Sequence, residues 1–169
     1  APRVSLAGMD RPIVFTASPL DRASARRGDA AWMAARLADK ASRYLPFREL
    51  KPLIRPGPAP SLAWQEAAAL GGALAGQDTP VMLGPVMLGL AAGVCHFAVD
   101  ADGLSVEFAG KFIDARTIAP QLPAGEAAIL AQARSLIDWH RRHGFCSTCG
   151  KATAPRQGGY SRRCVPSDD

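Results

Sequence analysis

An α+β fold, an antiparallel sheet with a few helices followed by a small cysteine-bearing module, is what this chain of 169 residues predicts. Three observations lead there. Two segments place apolar residues at helical steps, and they bracket a middle of short apolar runs punctuated by Gly, Pro and Asp-Gly. The composition suits a packed core, at 48% hydrophobic and 21% charged. After Gly144 the chain turns to glycine, serine, threonine, arginine and cysteine, too polar to build a core of its own.

The elements follow in order. "RPIVFTASPLDRAS" predicts a short strand, Ile13 to Ala17, closed by a turn at Pro19. "GDAAWMAARLADKASRYL" predicts a helix, because Ala30, Met33, Leu37, Ala41 and Tyr44 share one face at three- and four-residue steps. Asp29 is its expected N-cap and Pro46 its expected end. "RELKPLI" predicts a strand entering the loop "RPGPAPS". "LAWQEAAAL" is ambiguous: its alanines favour helix, but it is short. "PVMLG", "GVCHFAVD" and "LSVEFAG" predict strands, and Asp102-Gly103 between apolar runs signals a hairpin. The middle is therefore expected to be an antiparallel meander. "GEAAILAQARSLIDWHRRHG" predicts the clearest helix, with Ile129, Leu130, Ala133, Leu136, Ile137 and His140 on one stripe and Gly144 as the stop.

The apolar stretch "PVMLGPVMLGLAAGVCHFAV" is broken by glycines and two prolines, so turn-separated strands fit it better than a membrane helix of about 20 residues. The opening "APRVSLAGMDRP" lacks the apolar core of a signal peptide, which makes the cytoplasm the expected compartment. The net charge of +5 is uneven. From Arg134 onward seven basic residues face three acids, +4 over the last 36 residues. Such a run is either a solvated face or a surface that meets phosphates.

The cysteines carry the chemistry. Cys146-Ser147-Thr148-Cys149-Gly150 has the spacing at which two thiolates reach one ion from a tight knuckle. Cys164 follows after 14 intervening residues that contain Gly158-Gly159, as a hairpin return would. Cys146, Cys149 and Cys164 are therefore candidate zinc ligands. The fourth position of a ribbon falls on Ser167, a poor zinc ligand. A redox pair fits less well, since that motif opens a helix after a strand, whereas this one follows a helix. Unlinked surface thiols are the remaining alternative. His143 could supply a nitrogen only by bending back over the knuckle. The expectation is instead that His140 packs with Trp139 against the domain and His143 caps the helix end. Cys95, inside a predicted strand, is expected to be a buried, inert thiol.

The segment "LIDWHRRHGFCSTCGKATAPRQGGYSRRC" closely resembles the zinc ribbon of the NADH pyrophosphatases, a branch of the Nudix hydrolases. The pattern falls on Trp139, His140, His143, Phe145, Cys146, Cys149, Gly150, Thr153, Gly158, Gly159, Arg162 and Cys164. "PLDRASARRGDAAWMAARLADKASRYLPF" and "VMLG…FAVD" resemble, more loosely, that family's Nudix-like N-terminal domain. The resemblance implies a Nudix-like domain over 1–124, a connecting helix over 125–144 and an incomplete zinc ribbon over 145–169. It implies an intact enzyme that splits the diphosphate of NAD(H) into a nicotinamide mononucleotide and AMP. Some members also remove NAD caps from RNA. It further implies structural Zn²⁺, Mg²⁺ or Mn²⁺ at a Nudix box, and a homodimer.

Two departures shape the expectation. The fourth cysteine is missing at Ser167, so zinc is expected to be weak or partial, with the last 20 residues poorly ordered or held by other contacts. The Nudix box is also absent, and the acids are scattered. The chain is thus expected to be an N-terminal portion without a catalytic residue, its catalytic Nudix domain lying outside these residues. A reading from another class is a stand-alone zinc-ribbon adaptor for nucleic acid or protein. The basic tail favours it, while Phe145 and Tyr160 alone make a thin stacking platform. A third is a degenerate relative without zinc or catalysis.

Overall fold

The computed structural model describes residues 15, 17–71 and 86–164. Most of the strand expected at Ile13 to Ala17, the first "PVMLG" and Ser167 lie outside these residues; Phe15 and Ala17 are in no strand.

Helix α1, Ala30–Ala38, begins where the sequence places it: the Asp29 carboxylate accepts from the N–H groups of Ala31 and Trp32 at 2.9 and 3.0 Å. It ends six residues early. Asp39 turns extended, its carboxylate accepts from Ala41 N, and Ser42 Oγ donates to Arg36 O at 2.6 Å. The predicted last turn is instead strand β1, Arg43–Arg48, with Pro46 inside it rather than ending a helix. Tyr44, Leu45 and Phe47 are fully buried there, because the strands Lys51–Arg55 and Val94–Asp100 flank it in the sheet and helices cover both faces of it.

Strand β2, Lys51–Arg55, takes only the second part of "RELKPLI": Arg48 ends β1, and Glu49 and Leu50, both at left-handed φ, form the hairpin turn between the two strands. "LAWQEAAAL" divides between both alternatives, giving strand β3, Ser61–Leu62, and a 3₁₀ turn, Ala67–Leu70. Strands β4, Val86–Ala91, and β5, Val94–Asp100, form the real hairpin of the middle, turning at Ala92-Gly93, where φ is 48° and 80°. Asp102-Gly103 does not join paired strands. "LSVEFAG" is irregular, and the carbonyls of Leu104 and Val106 are taken by Arg48 Nη2 rather than by a ladder. Strand β6, Lys111–Phe112, pairs with β2.

The sheet order is β3-β2-β1-β5-β4. It is not a simple meander, because β1 and β5 run parallel, from Arg43 opposite His96 to Phe47 opposite Asp100. A short helix α2, Ala115–Ile118, leads to α3, Ala124–Arg142. Helix α3 buries Ile129, Leu130, Ala133, Ile137 and His140, with Leu136 half-buried. It ends at His143, whose N–H reaches Trp139 O and His140 O. Gly144, the expected stop, follows without a left-handed φ.

The core has two halves. Helix α3 packs with Leu45, Phe47, Ile54, Leu88 and Ala98 on one face. On the other face, Trp32, Met33 and Leu37 of α1 pack with Tyr44, Met87, Cys95, Phe97 and Val99. Alternation along β1 and β5 deals their side chains to the two halves, and each fully buried large side chain stabilises by about 1.5–3 kcal/mol. Tyr44 stacks on Phe97 at 5.2 Å and donates to Leu37 O, tying α1 to the sheet. Cys95 is buried as expected, and burial pushes its thiol up to about 11. Among the described residues no helix is long and apolar enough to cross a membrane.

Candidate metal centre

The chain leaves α3 into a one-turn knuckle. Phe145 bridges to Ala152, Cys146 N donates to Lys151 O at 2.8 Å, and Gly150 N donates back to Cys146 O at 2.8 Å. Gly150 has φ 71°, a conformation that frees the turn to close. Strands β7, Thr153–Arg156, and β8, Ser161–Cys164, then form an antiparallel hairpin in which Cys164 lies opposite Thr153. That register carries the third cysteine back to the knuckle.

The three sulfurs lie within 4.8 Å of one another, and Cys149 Sγ is 3.7 Å from Cys164 Sγ. Thiolates about 2.3 Å from one tetrahedral ion stand about 3.8 Å apart, so the spacing suits zinc. It is far longer than the ~2.05 Å of a disulfide. Among the described residues this is the one group of three or more His, Cys, Asp or Glu side chains placed to hold an ion. Backbone N–H groups of Cys149 and then Thr148 point at Cys146 and pull its thiol down to about 6. Hydrogen bonding to Cys146 and Cys149 holds Cys164 up at about 11. Cys146 thus gives up its proton readily while Cys164 holds its own, and a bound cation would favour the thiolate at Cys164. His143 is not in the cluster: its Nδ1 donates to Trp139 O at 2.7 Å, the helix-capping role expected of it.

The rest of the module is fastened to the domain without a metal. Buried His140 donates from Nε2 to Gly159 O at 2.8 Å, and Arg162 Nη1 donates to His140 Nδ1 at 2.7 Å. A guanidinium only donates and a carbonyl only accepts, so the ring is neutral with its proton on Nε2. Arg162 also donates from Nε to Thr153 Oγ1 and from Nη2 to Thr153 O, both at 2.8 Å. Thr153 Oγ1 donates to His143 O at 2.7 Å, so helix end, β7 and β8 are joined through one arginine and one threonine. Gly159, at φ 91°, has no room for a side chain: a Cβ would stand 3.0 Å from Val86 Cγ1 and 3.1 Å from His140 Nε2. The expectation that other contacts hold the tail describes this hairpin well.

Two of these partners escape a reading of local sequence. The His140–Arg162 pair spans 22 residues. Its traces are that both residues fall on the family pattern, that Arg162 and Cys164 alternate onto one face of β8, and that His140 ends the apolar stripe of α3. Tyr160, counted as a stacking ring, is committed elsewhere. Its hydroxyl is bonded by Gln132 Nε2, and the Arg27 guanidinium lies 3.6 Å over its ring. Phe145 stays 74% exposed. The basic excess is partly cancelled too: Arg141 binds Asp100 and Asp102, and Arg142 binds Asp138.

Burial, then the nearby Arg162 charge, lowers the His140 pKa, and burial lowers that of His96. A base whose folded pKa is depressed stabilises fully above its unfolded value of about 6.5 and loses that contribution as pH falls through the folded value. Urea unfolding is therefore expected to give a stability that declines as pH falls below about 6.5. Stability that rises on acidification through this window contradicts the neutral His140 assignment.

Residues 41–139 match the family described as the NADH pyrophosphatase-like rudimentary NUDIX domain, and residues 141–169 match the NADH pyrophosphatase zinc ribbon domain. The chain is 30% identical over 186 residues to a human NAD-capped RNA hydrolase, covering 91% of this chain and 40% of that protein. It is 31% identical over 146 residues to the chloroplastic Nudix hydrolase 19 of Arabidopsis thaliana, covering 72% and 33%. It is 38% identical over 66 residues to a human mitochondrial NAD(P)H pyrophosphatase, covering 39% and 18%. The chain thus spans 40% of the length of the NAD-capped RNA hydrolase it matches.

Proposed function

Because the chain belongs to the NADH pyrophosphatase branch of the Nudix proteins, we propose that it is the N-terminal part of an enzyme that splits the diphosphate of NAD(H), free or as an RNA cap. The products would be a nicotinamide mononucleotide and AMP, the AMP free or as the 5′-phosphorylated end of the RNA. The names of the relatives support the substrate class. In this reading residues 1–124 form the Nudix-like domain, 125–144 the connecting helix and 145–169 the ribbon. The intact enzyme is a cytoplasmic homodimer.

Within the ribbon, Cys146, Cys149 and Cys164 hold a structural Zn²⁺. The observation that carries this is the convergence of three sulfurs at tetrahedral spacing in a segment that matches a zinc ribbon. Bound there, zinc would supply folding energy by closing the knuckle onto the end of β8. With three thiolates and an exchangeable fourth ligand, occupancy is partial. The residues of this chain do the rest: α3 positions the knuckle, and Arg162 and His140 orient the hairpin.

Catalysis belongs to the glutamates of a Nudix box with Mg²⁺ or Mn²⁺, and these 169 residues contain no such box. The purified chain is therefore expected to release no AMP from NADH above a blank, read by chromatography. Turnover that keeps constant specific activity through repurification overturns this part of the reading. The adaptor alternative has less support, because Tyr160 is committed to Arg27 and Gln132 and the basic tail is partly paired.

A further inference from the structure

At the β1–β2 turn a cleft of about 590 Å³ opens between Arg48, Glu49, Lys51, Asp102, Gly103, Leu104 and Phe112, two cations and two carboxylates among them. We propose that it binds a nucleoside monophosphate, with the phosphate between Arg48 and Lys51 and the base against Phe112. The volume lies within the span of about 300–1,000 Å³ usual for small-molecule sites.

Four features point to a phosphate. Arg48 and Lys51 are directly opposite each other across the strand pair, and like charges so placed repel. A dianion between them removes that cost. Arg48 is held rigidly: its Nη2 donates to Leu104 O and Val106 O, and its guanidinium lies 5.4 and 5.1 Å from the rings of Phe108 and Phe112. Among the described residues no carboxylate pairs with it, and it lines the cleft. A fixed guanidinium with a remaining donor edge is preorganised for an oxyanion.

Lys51 Nζ bonds Glu49 Oε2 at 2.8 Å, but both side chains are exposed, so a phosphate displaces Glu49 at little cost. The turn that sets the two cations face to face is itself strained. Glu49 and Leu50 both have left-handed φ, 51° and 62°, a region that residues with a Cβ seldom adopt. Asp102 pins that turn by accepting from Glu49 N at 2.8 Å, and its other oxygen is held by Arg141. Arg141 also binds Asp100, so its one charge is shared between two carboxylates and answers that of Asp102 only in part. Phe112, half-buried in the cleft wall with Arg48 and Phe108 already against its ring, is the aromatic surface that a base would meet. None of this depends on diphosphate cleavage or on zinc.

The test is a titration of the isotope-labelled 169-residue chain by amide NMR with AMP, adenosine and inorganic phosphate. AMP is expected to shift the amides of Arg48, Lys51, Gly103, Leu104 and Phe112, binding at least about tenfold tighter than phosphate or adenosine. Lys51→Glu, at an exposed position, should weaken AMP about tenfold or more, and Arg48→Lys should do the same by losing the fork. The proposal is overturned if about 10 mM AMP leaves these amides unmoved or shifts only others. It is equally overturned if AMP binds no tighter than phosphate, or if Lys51→Glu binds it unchanged.

Discussion

Replacing Cys149 by serine is expected to weaken zinc binding by roughly 100- to 1,000-fold. A four-ligand structural zinc site in a peptide is worth about 10–16 kcal/mol, or about 3–4 per ligand, and a serine hydroxyl does not ionise to replace a thiolate. Cys149 Sγ stands 3.7 Å from Cys164 Sγ, so its loss weakens the link between knuckle and β8. Competition with a chromogenic chelator reads the change. Cys95→Ser is the control, since Cys95 lies buried between α1 and the sheet, outside the cluster. Equal zinc affinity in Cys149→Ser and the parent chain would remove Cys149 from the ligand set.

His140→Ala is expected to cost about 3 kcal/mol in urea unfolding. The change deletes a buried ring, strands Gly159 O and leaves Arg162 without its acceptor at Nη1. Each lost partner costs about 1–3 kcal/mol, and the cavity adds to it. The loss is expected to be local as well as global. Amide exchange should rise across β7 and β8, while β1 and β5, paired in the middle of the sheet, stay protected. A uniform loss of protection across both sheets would mean that His140 serves the core rather than the joint. The two variants thus separate two ways of holding the ribbon: the metal end at the knuckle, and the hydrogen-bonded end at Gly159.

Local signals in the sequence mapped onto local structure. Asp29 caps α1 and the stripe of α3 is buried, because capping and helical periodicity involve residues within a turn or two of each other. The spacing of Cys146, Cys149 and Cys164 also reads directly, since the hairpin register between them is set by the short return at Gly158-Gly159. Most of the errors are non-local, though Asp39 and Ser42 also end α1 by bonds within a few residues. Ala41 and Tyr44 continue the helical spacing of α1, yet Tyr44 belongs to β1 because a parallel partner, β5, is available to it. Asp102-Gly103 has the residues of a hairpin turn, but the chain after it gives its carbonyls to Arg48 instead of to a strand. The commitment of Tyr160 to Arg27 depends on a loop more than 130 residues earlier. The family resemblance supplied what spacing alone leaves open, the kind of module to which three cysteines belong.

The central claim is that Cys146, Cys149 and Cys164 together hold zinc, and metal content tests it most directly. Zinc per chain should be measured on protein purified without chelator, beside the Cys149→Ser variant. The account predicts a clear but substoichiometric zinc content in the parent chain, and a loss of it in the variant. Less than about a tenth of an equivalent in the parent chain would contradict it.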